Sequence, residues 1–374
     1  MKFTIITHVN HGFDNEGYFA YEPYVREMNI WLKYASEVEV VAPHSKIVKE
    51  PIHSQYLHSN LIFSKVSLLD FTSLARVLKS IFVLPRIIIT VFLAMRRADH
   101  IHLRCPGNMG LIGCFLQVFF PRKIKTAKYA GNWDPKSKQP WSYRLQQRIL
   151  KNLFLTRNMQ VLVYGQWPNQ TKNILPFFTA SYTEKEAVLV PLRLLKKSSQ
   201  FRIIFVGSLT KNKNPLLSLK VALRLREIGL LPELHFYGDG LELQVLENFV
   251  YENLMESYVS FHGNCDKETL KLAYQESHFL VFLSRSEGWP KVVAEAMFWG
   301  CVPITTAVSC LPEMLNGGVC GDLIAANAQE GVKAICSYLE LNKDYQKTAQ
   351  EAMHWSRKFT LDNFETEIKK QIYA

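Results

Sequence analysis

Two glutamates eight positions apart, Glu287 and Glu295, bracket a stretch that suits the binding of an anion. The apolar run at residues 279–283 predicts a buried strand, so Glu287 is expected on the loop at its carboxyl end. Gly288 permits a close approach of the backbone to a ligand, and Pro290 is typical of the first turn of a helix. The N–H groups and the dipole at that helix start favour a negatively charged group.

Glu295 is expected one to two turns into the same helix, between Ala294 and Ala296. A carboxylate in such apolar surroundings is costly unless it meets a partner, for example the hydroxyls of a ligand. The alternative for Glu295 is a structural buried acid. In the first interpretation, two carboxylates flank an anion-binding helix start, and this arrangement suits a sugar, a diphosphate and a ribose lying side by side.

The elements that must position these residues alternate between strand and helix. Apolar runs at 3–7, 38–43, 100–103 and 127–130 predict strands in the first half, and the alternation begins again at 202–206. Such alternation indicates βαβ units and parallel sheets, and 374 residues are enough for two domains. We expect an α/β protein of two doubly wound domains, whose ligands bind beyond the carboxyl ends of the strands.

The glutamate stretch resembles the E-x7-E signature of the family 4 retaining glycosyltransferases, which contain the glycosyl transferases group 1 domain. The similarity continues in order over roughly residues 201–325, with the following segments: Phe205-Val206-Gly207-Ser208-Leu209 followed by Lys213, Tyr237-Gly238-Asp239-Gly240, Val259-Ser260-Phe261-His262-Gly263 and Pro312-Glu313. The resemblance implies the GT-B fold, in which two Rossmann-like domains face each other across a cleft. We therefore expect an acceptor-binding domain at 1–190, a nucleotide-sugar-binding domain at 201–355 and a C-terminal helix at 356–374 that packs back on the N-terminal domain.

The resemblance also implies roles for single residues. Glu287 would bind the hydroxyls of the donor sugar, Glu295 would hold the ribose, and Lys213 would neutralise the diphosphate as the leaving group departs. For Lys213 the alternative is a solvated loop lysine. The other residues expected to bind the donor are Gly12, Gly207, Ser208, Gly238, Gly288, Trp289, Pro290, Lys291 and Val292.

The sequence departs from the family pattern at two places. Ser208 stands where the family usually has an arginine, so one positive charge on the diphosphate is missing unless Lys211 or another basic residue replaces it. The family's N-domain histidine is also missing from residues 128–135. Asp134, in that stretch, is interpreted either as a catalytic residue or as part of a structural ion pair. Gly12 lies in the segment 8–17, which is expected to be a loop that faces the cleft after the first strand.

The expected reaction is therefore transfer of a hexosyl group from a UDP- or GDP-sugar to a hydroxyl of a glycan or lipid-linked acceptor, with retention of configuration, in cell-surface polysaccharide synthesis. We expect no metal and no cofactor besides the donor, because the chain contains no D-x-D triplet. The alternatives are a catalytically weak donor-binding homologue, or another GT-B enzyme such as a sugar-nucleotide epimerase. No nucleic-acid partner is expected, since no RNP, zinc-finger or helix-turn-helix signature is present.

Charge is distributed unevenly along the chain. The net charge is +11, and residues 65–157 hold 17 basic residues opposed only by Asp70, Asp99 and Asp134. Such a field attracts anionic lipid or phosphorylated ligands. Within it, the apolar run 81–95 is interpreted either as a core helix or as a helix at a membrane surface. Seven cysteines without a C-x-x-C pair are typical of a reducing compartment, so we expect a cytoplasmic protein, peripheral on the cytoplasmic face of the membrane.

Overall fold

A computed structural model describes residues 1–69, 73–191, 193–196 and 199–373, without the side chains of 74–79 and 373. Asp70 and the side chains of Arg76 and Lys79, which belong to the basic segment, are thus outside what is described. The described chain folds into two compact units. The first comprises Met1–Phe178 and the segment from Glu365 onwards, and the second comprises Thr179–Phe364.

The first unit is built on a parallel sheet in the strand order β10-β9-β8-β7-β1-β4-β6. Its central strands are buried on both faces, as is usual for parallel strands covered by helices. The elements are β1 Lys2–Ile6, β2 Gly12–Asp14, β3 Gly17–Tyr21, α1 Glu22–Leu32, β4 Glu37–Pro43, β5 His53–Gln55, β6 Leu61–Val66, α2 Leu74–Arg97, β7 His100–Cys105, α3 Asn108–Leu116, β8 Ile124–Tyr129, α4 Trp141–Lys151, β9 Met159–Tyr164 and β10 Ile174–Phe177.

The segment after β1 is more ordered than the loop that the sequence suggested. Strands β2 and β3 form an antiparallel hairpin, and β5 adds to β3. Gly12 is buried in this small sheet, where a β-carbon would come within 2.3 Å of Phe19 Cζ. Close packing against the Phe19 ring therefore accounts for the glycine at this position, whereas its expected contact with donor phosphates stays a prediction.

The second unit contains a parallel sheet in the order β13-β12-β11-β14-β15-β16. Its elements are β11 Phe201–Val206, α5 Pro215–Glu227, β12 Pro232–Tyr237, α6 Leu243–Glu252, β13 Val259–Phe261, α7 Lys267–Glu276, β14 Phe279–Phe282, α8 Lys291–Phe298, β15 Val302–Thr306, α9 Leu311–Met314, β16 Asp322–Ile324, α10 Ala328–Leu339 and α11 Tyr345–Ser356. The parallel α/β architecture predicted from the sequence is confirmed.

The second unit begins at Thr179, 22 positions before the expected start at residue 201, because residues just after Phe178 bind partners within it. The Ser181 hydroxyl donates to Glu295, and Lys267 Nζ donates to Glu186 over 2.8 Å. Within the expected linker at 191–200, the Arg193 guanidinium donates to the carbonyl oxygens at the ends of α7 and α8, including that of Tyr274. This segment is thus anchored to the second unit at Arg193.

The last helix, α12 (Leu361–Tyr373), begins in the second unit and continues in the first. At its start, the Leu361 N–H donates to the Tyr182 carbonyl over 2.8 Å. Farther along, the Glu365 carboxylate accepts hydrogen bonds from Lys33 Nζ at 2.6 Å and from the Tyr34 hydroxyl at 2.5 Å. The residues of α12 from Glu365 onwards are therefore attached to α1 and its C-terminal end by charge-assisted hydrogen bonds.

Candidate active site

Two of the charged residues that the sequence predicts for the donor site form an ion pair in the second unit. Lys213 Nζ lies 2.8 Å from Oε1 and 2.7 Å from Oε2 of Glu287, although the residues are 74 positions apart. Glu287 is 7% exposed, and the Lys213 ammonium also lies 5.2 Å from the centroid of the Phe282 ring. A buried carboxylate requires such a partner. The structure therefore joins Lys213 and Glu287 at the carboxyl end of β14.

Hydrogen bonds between two loops hold this pair in place. The Arg285 N–H donates to the Asn212 carbonyl over 2.8 Å, and Asn212 Nδ2 donates to the Ser286 carbonyl over 2.9 Å. The Ser284 hydroxyl donates to the same Asn212 carbonyl over 3.1 Å. Each loop thus fixes the position of the other, because its backbone groups are bonded to the partner loop.

These two loops also carry Lys211 and Arg285, which are both exposed. Lys211 is the substitute that the sequence predicts for the missing arginine, whereas a role of Arg285 was not predicted. Its position just after a buried strand, two residues before Glu287, is the signal that could have identified it. Three basic residues therefore lie on the loops next to Glu287.

Helix α8 begins immediately after this site, with Pro290 as its N-terminal cap residue. The Gly288 carbonyl accepts hydrogen bonds from Ser309 Oγ at 2.9 Å and Cys310 Sγ at 3.1 Å, which fix the turn leading into the helix. The amides of Lys291 and Val292 belong to the first turn. The start of α8 therefore has the positive dipole end expected of an anion-binding position.

Trp289 has a packing role that its sequence position did not predict. Its ring stacks on Trp355 of α11 with centroids 6.2 Å apart, and it meets Phe359 edge-on at 5.4 Å. These contacts stabilise the turn before α8. A direct contact of Trp289 with a donor stays a prediction.

Glu295 has partners different from those of Glu287. Its Oε1 accepts a hydrogen bond from Ser181 Oγ at 2.5 Å, and its Oε2 accepts one from the Tyr274 hydroxyl at 3.1 Å. Burial, followed by the charge of Glu295, raises the pKa of the Tyr274 hydroxyl well above its ordinary value, so this group remains a donor. Glu295 also lines a small pocket together with Lys291.

Glycines let the ends of β11 and β12 approach each other. Gly207 and Gly238 have φ angles of +139° and +132°, in the region that favours glycine. A β-carbon at Gly238 would lie 2.1 Å from the Gly207 carbonyl oxygen. The neighbouring Ser208 is exposed. Close packing accounts for Gly238 and the positive φ angle accounts for Gly207, and donor contacts by these three residues stay predictions.

Comparisons with known proteins bear on this unit and on the whole fold. Residues 192–355, which include Lys213, Glu287 and Glu295, match the family model described as glycosyl transferases group 1. An uncharacterized glycosyltransferase of Methanocaldococcus jannaschii is 30% identical over 134 residues, or 36% of this chain and 38% of that protein. The chain thus matches well under half the length of this curated relative.

Solved structures resemble the entire chain. Sucrose-phosphate synthase from Thermosynechococcus elongatus has a TM-score of 0.70 at 15% identity, covering 100% of this chain and 98% of that one. Anabaena HepE in complex with UDP and glucose has a TM-score of 0.69 at 15% identity, covering 100% and 99%. The fold is that of the GT-B glycosyltransferases.

Two predicted residues lie in the N-terminal unit of this GT-B protein. One is Gly12, in the hairpin described above. The other is Asp134, whose Oδ1 accepts a hydrogen bond from the Lys136 N–H at 2.8 Å, and whose carbonyl accepts one from the Ser137 hydroxyl at 2.6 Å. These bonds close a turn of the Asx type. The turn explains the aspartate structurally, and its catalytic role stays a prediction.

Proposed function

We propose that this protein is a glycosyltransferase that binds a nucleotide-diphosphate sugar through its second unit and transfers the sugar to an acceptor hydroxyl. The observation that carries the proposal is the Lys213–Glu287 pair beside the start of α8, inside the segment that matches the group 1 family. A cation and a helix start suit the diphosphate. A carboxylate suits the hydroxyls of the sugar.

In the proposed reaction, negative charge grows on the diphosphate as the bond to the sugar breaks. Lys213, the first turn of α8, and the exposed Lys211 and Arg285 would stabilise that charge electrostatically. Glu287 would release Lys213 to the phosphate and bind the sugar hydroxyls, and Glu295 would hold the ribose. In this scheme protein cations perform the role that a divalent ion performs in metal-dependent transferases.

We further propose that the reaction is a hexosyl transfer with retention of anomeric configuration, as the E-x7-E resemblance implies. A UDP-sugar is the first donor to test, because the Anabaena HepE structure of the same fold contains UDP and glucose. The acceptor is proposed to be a glycan or lipid-linked hydroxyl in cell-surface polysaccharide synthesis.

A thermal-shift screen of UDP- and GDP-sugars tests donor binding, because a ligand that binds only the folded state raises the melting temperature. The donor that binds is then incubated with glycan and lipid-linked acceptors, and proton NMR follows the anomeric signal of the product. A product with the donor's configuration supports the proposal. Donor binding without transfer to any acceptor would favour a binding subunit, and an epimerised donor would favour an epimerase.

A further inference from the structure

We propose that one face of the N-terminal unit is a docking surface for an anionic lipid bilayer. This surface consists of the exposed apolar side of α2, the turn after α3 and the loop after α4, and it is called the docking face below. It lies in a different unit from the donor residues Lys213, Glu287 and Glu295. The inference is therefore independent of which sugar is bound.

Helix α2 has apolar residues on two opposite sides. One side, with Ile87, Val91 and Met95, is buried in the core. On the other side Phe82 is 82% exposed and Ile89 is 59% exposed, and Ile81 and Leu93 are also exposed. The core helix and the surface helix that the sequence left as alternatives are thus two sides of one helix. Among the described residues, none of the helices has both the length and the apolar character that crossing a membrane requires.

Neighbouring segments extend the apolar side of α2. Phe92 contacts Phe119, with ring centroids 6.4 Å apart, and Phe119 is 69% exposed. Gln117 Nε2 then donates to the Leu155 carbonyl over 3.0 Å, which places the loop bearing Phe154 beside this turn. Phe154 is 71% exposed. Exposed apolar residues on three connected segments form a larger apolar patch than the single, scattered apolar residues of an ordinary protein surface.

The charge around these apolar residues favours an anionic lipid surface. The exposed arginines of the docking face are Arg86, Arg96, Arg122 and Arg157. The Arg157 guanidinium carbon lies 4.7 Å from the centroid of the Phe154 ring. Asp99 and Asp134 are the only acids from position 71 to position 183 of the sequence. Apolar side chains surrounded by arginines are the pattern expected of a surface that inserts shallowly among anionic headgroups.

Part of the basic excess of residues 65–157 does not contribute to this surface. Lys125 and Lys128 are fully buried, and Arg104 is buried against Glu27. The charge available to a membrane is therefore carried by particular arginines of the docking face and not by the segment as a whole. Substitution of chosen arginines of the docking face therefore tests their contribution to membrane binding.

The test is co-sedimentation of the full chain with vesicles of phosphatidylcholine alone or mixed with phosphatidylglycerol, at low and high ionic strength. We expect binding only to the mixed vesicles, and weaker binding at high salt because exposed charges are screened. The double variants Phe82→Ser/Ile89→Ser and Arg86→Gln/Arg96→Gln should each lower the partition coefficient by about tenfold or more.

Matched controls change exposed residues outside the docking face. Leu241→Ser/Tyr251→Ser removes exposed apolar side chains from the second unit, and Lys333→Gln/Lys370→Gln removes two exposed charges. Both should bind vesicles like the parent. Nucleotide-sugar binding by the docking-face variants is measured in parallel and should be unchanged. A failure of the membrane-docking proposal can therefore be distinguished from a failure of the proposed function.

Three outcomes would overturn the proposal. One is equal binding to neutral and anionic vesicles, and another is unchanged binding of the docking-face variants. The third is no vesicle binding together with self-association that the Phe82→Ser/Ile89→Ser variant abolishes, because the face would then be an interface between copies of the chain. Circular dichroism of each variant checks that it is folded.

Discussion

The ammonium group of Lys213 lies within 2.8 Å of both carboxylate oxygens of Glu287. The pair neutralises a carboxylate that is almost fully buried, which would otherwise be costly. The pair also holds both groups in position for the donor. In the proposed function, the diphosphate would bind Lys213 and the sugar would bind Glu287. The same two residues thus stabilise each other by charge and, in the proposed function, bind the donor.

Replacing Glu287 with Gln should lower kcat/KM for transfer by about 10²–10³-fold, because an amide keeps the shape of the side chain but loses the charge. Steady-state kinetics with the donor found in the screen measures this. The exposed acid Glu256, replaced by Gln, is the control and should leave turnover unchanged. Turnover of Glu287→Gln equal to the parent would refute the role. A double-mutant cycle with Lys213→Met should be strongly non-additive, because the two groups share one interaction.

Replacing Glu295 with Gln should raise the dissociation constant of the donor by about tenfold and change kcat little. A charged hydrogen bond to the ribose acts on ground state and transition state alike. Calorimetric titration with the nucleotide diphosphate and kinetics with the sugar donor separate the two effects. Loss of folding stability with unchanged donor affinity would instead identify Glu295 as a purely structural partner of Ser181 and Tyr274.

Arg285 should contribute to diphosphate binding in place of the family's arginine, whose position is occupied by Ser208 in this chain. We expect Arg285→Gln to weaken binding of a nucleoside diphosphate by about five- to tenfold, because one charge-assisted contact is lost. Binding of the nucleoside without phosphates should not change. Arg224→Gln, at an exposed position on α5, is the control. Equal losses for nucleoside and nucleoside diphosphate would contradict a phosphate contact.

A buried charge cluster should be essential to the stability of the first unit. Glu27 is fully buried, with Arg104 Nη1 at 3.0 Å and Lys128 Nζ at 3.4 Å from its Oε2. Glu27→Gln leaves two buried cations without their anion, and should lower the free energy of unfolding by about 3–5 kcal/mol. Glu22→Gln, which removes an ion pair with Arg26 nearer the surface of the same helix, should cost less than about 1 kcal/mol. Urea denaturation of both variants provides the comparison, and equal losses would contradict it.

Buried histidines should make stability fall in mild acid. Burial lowers the pKa of His100 and of His278 from 6.5 to about 4. Between these values the unfolded chain binds protons that the folded chain does not, so the free energy of unfolding decreases as the pH falls through this range. At about pH 5 the loss is ~2 kcal/mol for each such histidine relative to neutral pH. Above about pH 6.5 the contribution of these groups is constant.

Chemical denaturation at several pH values measures this dependence. His100→Gln should reduce the slope of stability against pH, because the side chain no longer binds a proton. His354→Gln, at an exposed position, should retain the slope of the parent. A parent protein equally stable at about pH 5 and about pH 7 would contradict the prediction.

Local patterns in the sequence were enough to predict the architecture. Buried strands such as β11 and β14 appear as largely apolar runs, and the helices between the strands follow from periodicity. The apolar run at 202–206 predicts a strand, and β11 forms at Phe201–Val206. Glu287, Gly288 and Pro290 could be placed after a buried strand and before a helix, because all of these signals lie within about a dozen consecutive residues.

The partners of those residues depended on contacts between distant parts of the chain. Nothing in the sequence pairs Lys213 with Glu287 instead of with solvent, or binds Glu295 to Ser181. The hairpin around Gly12 is joined by β5, which lies more than thirty positions away in the sequence. The basic segment likewise looked uniform, yet Lys128 is buried and Arg86 is exposed. Burial and ion pairing are decided by which surfaces meet once the helices pack on their sheets. The exposure and the partners of a charged side chain are therefore properties of its three-dimensional surroundings and not of its residue type.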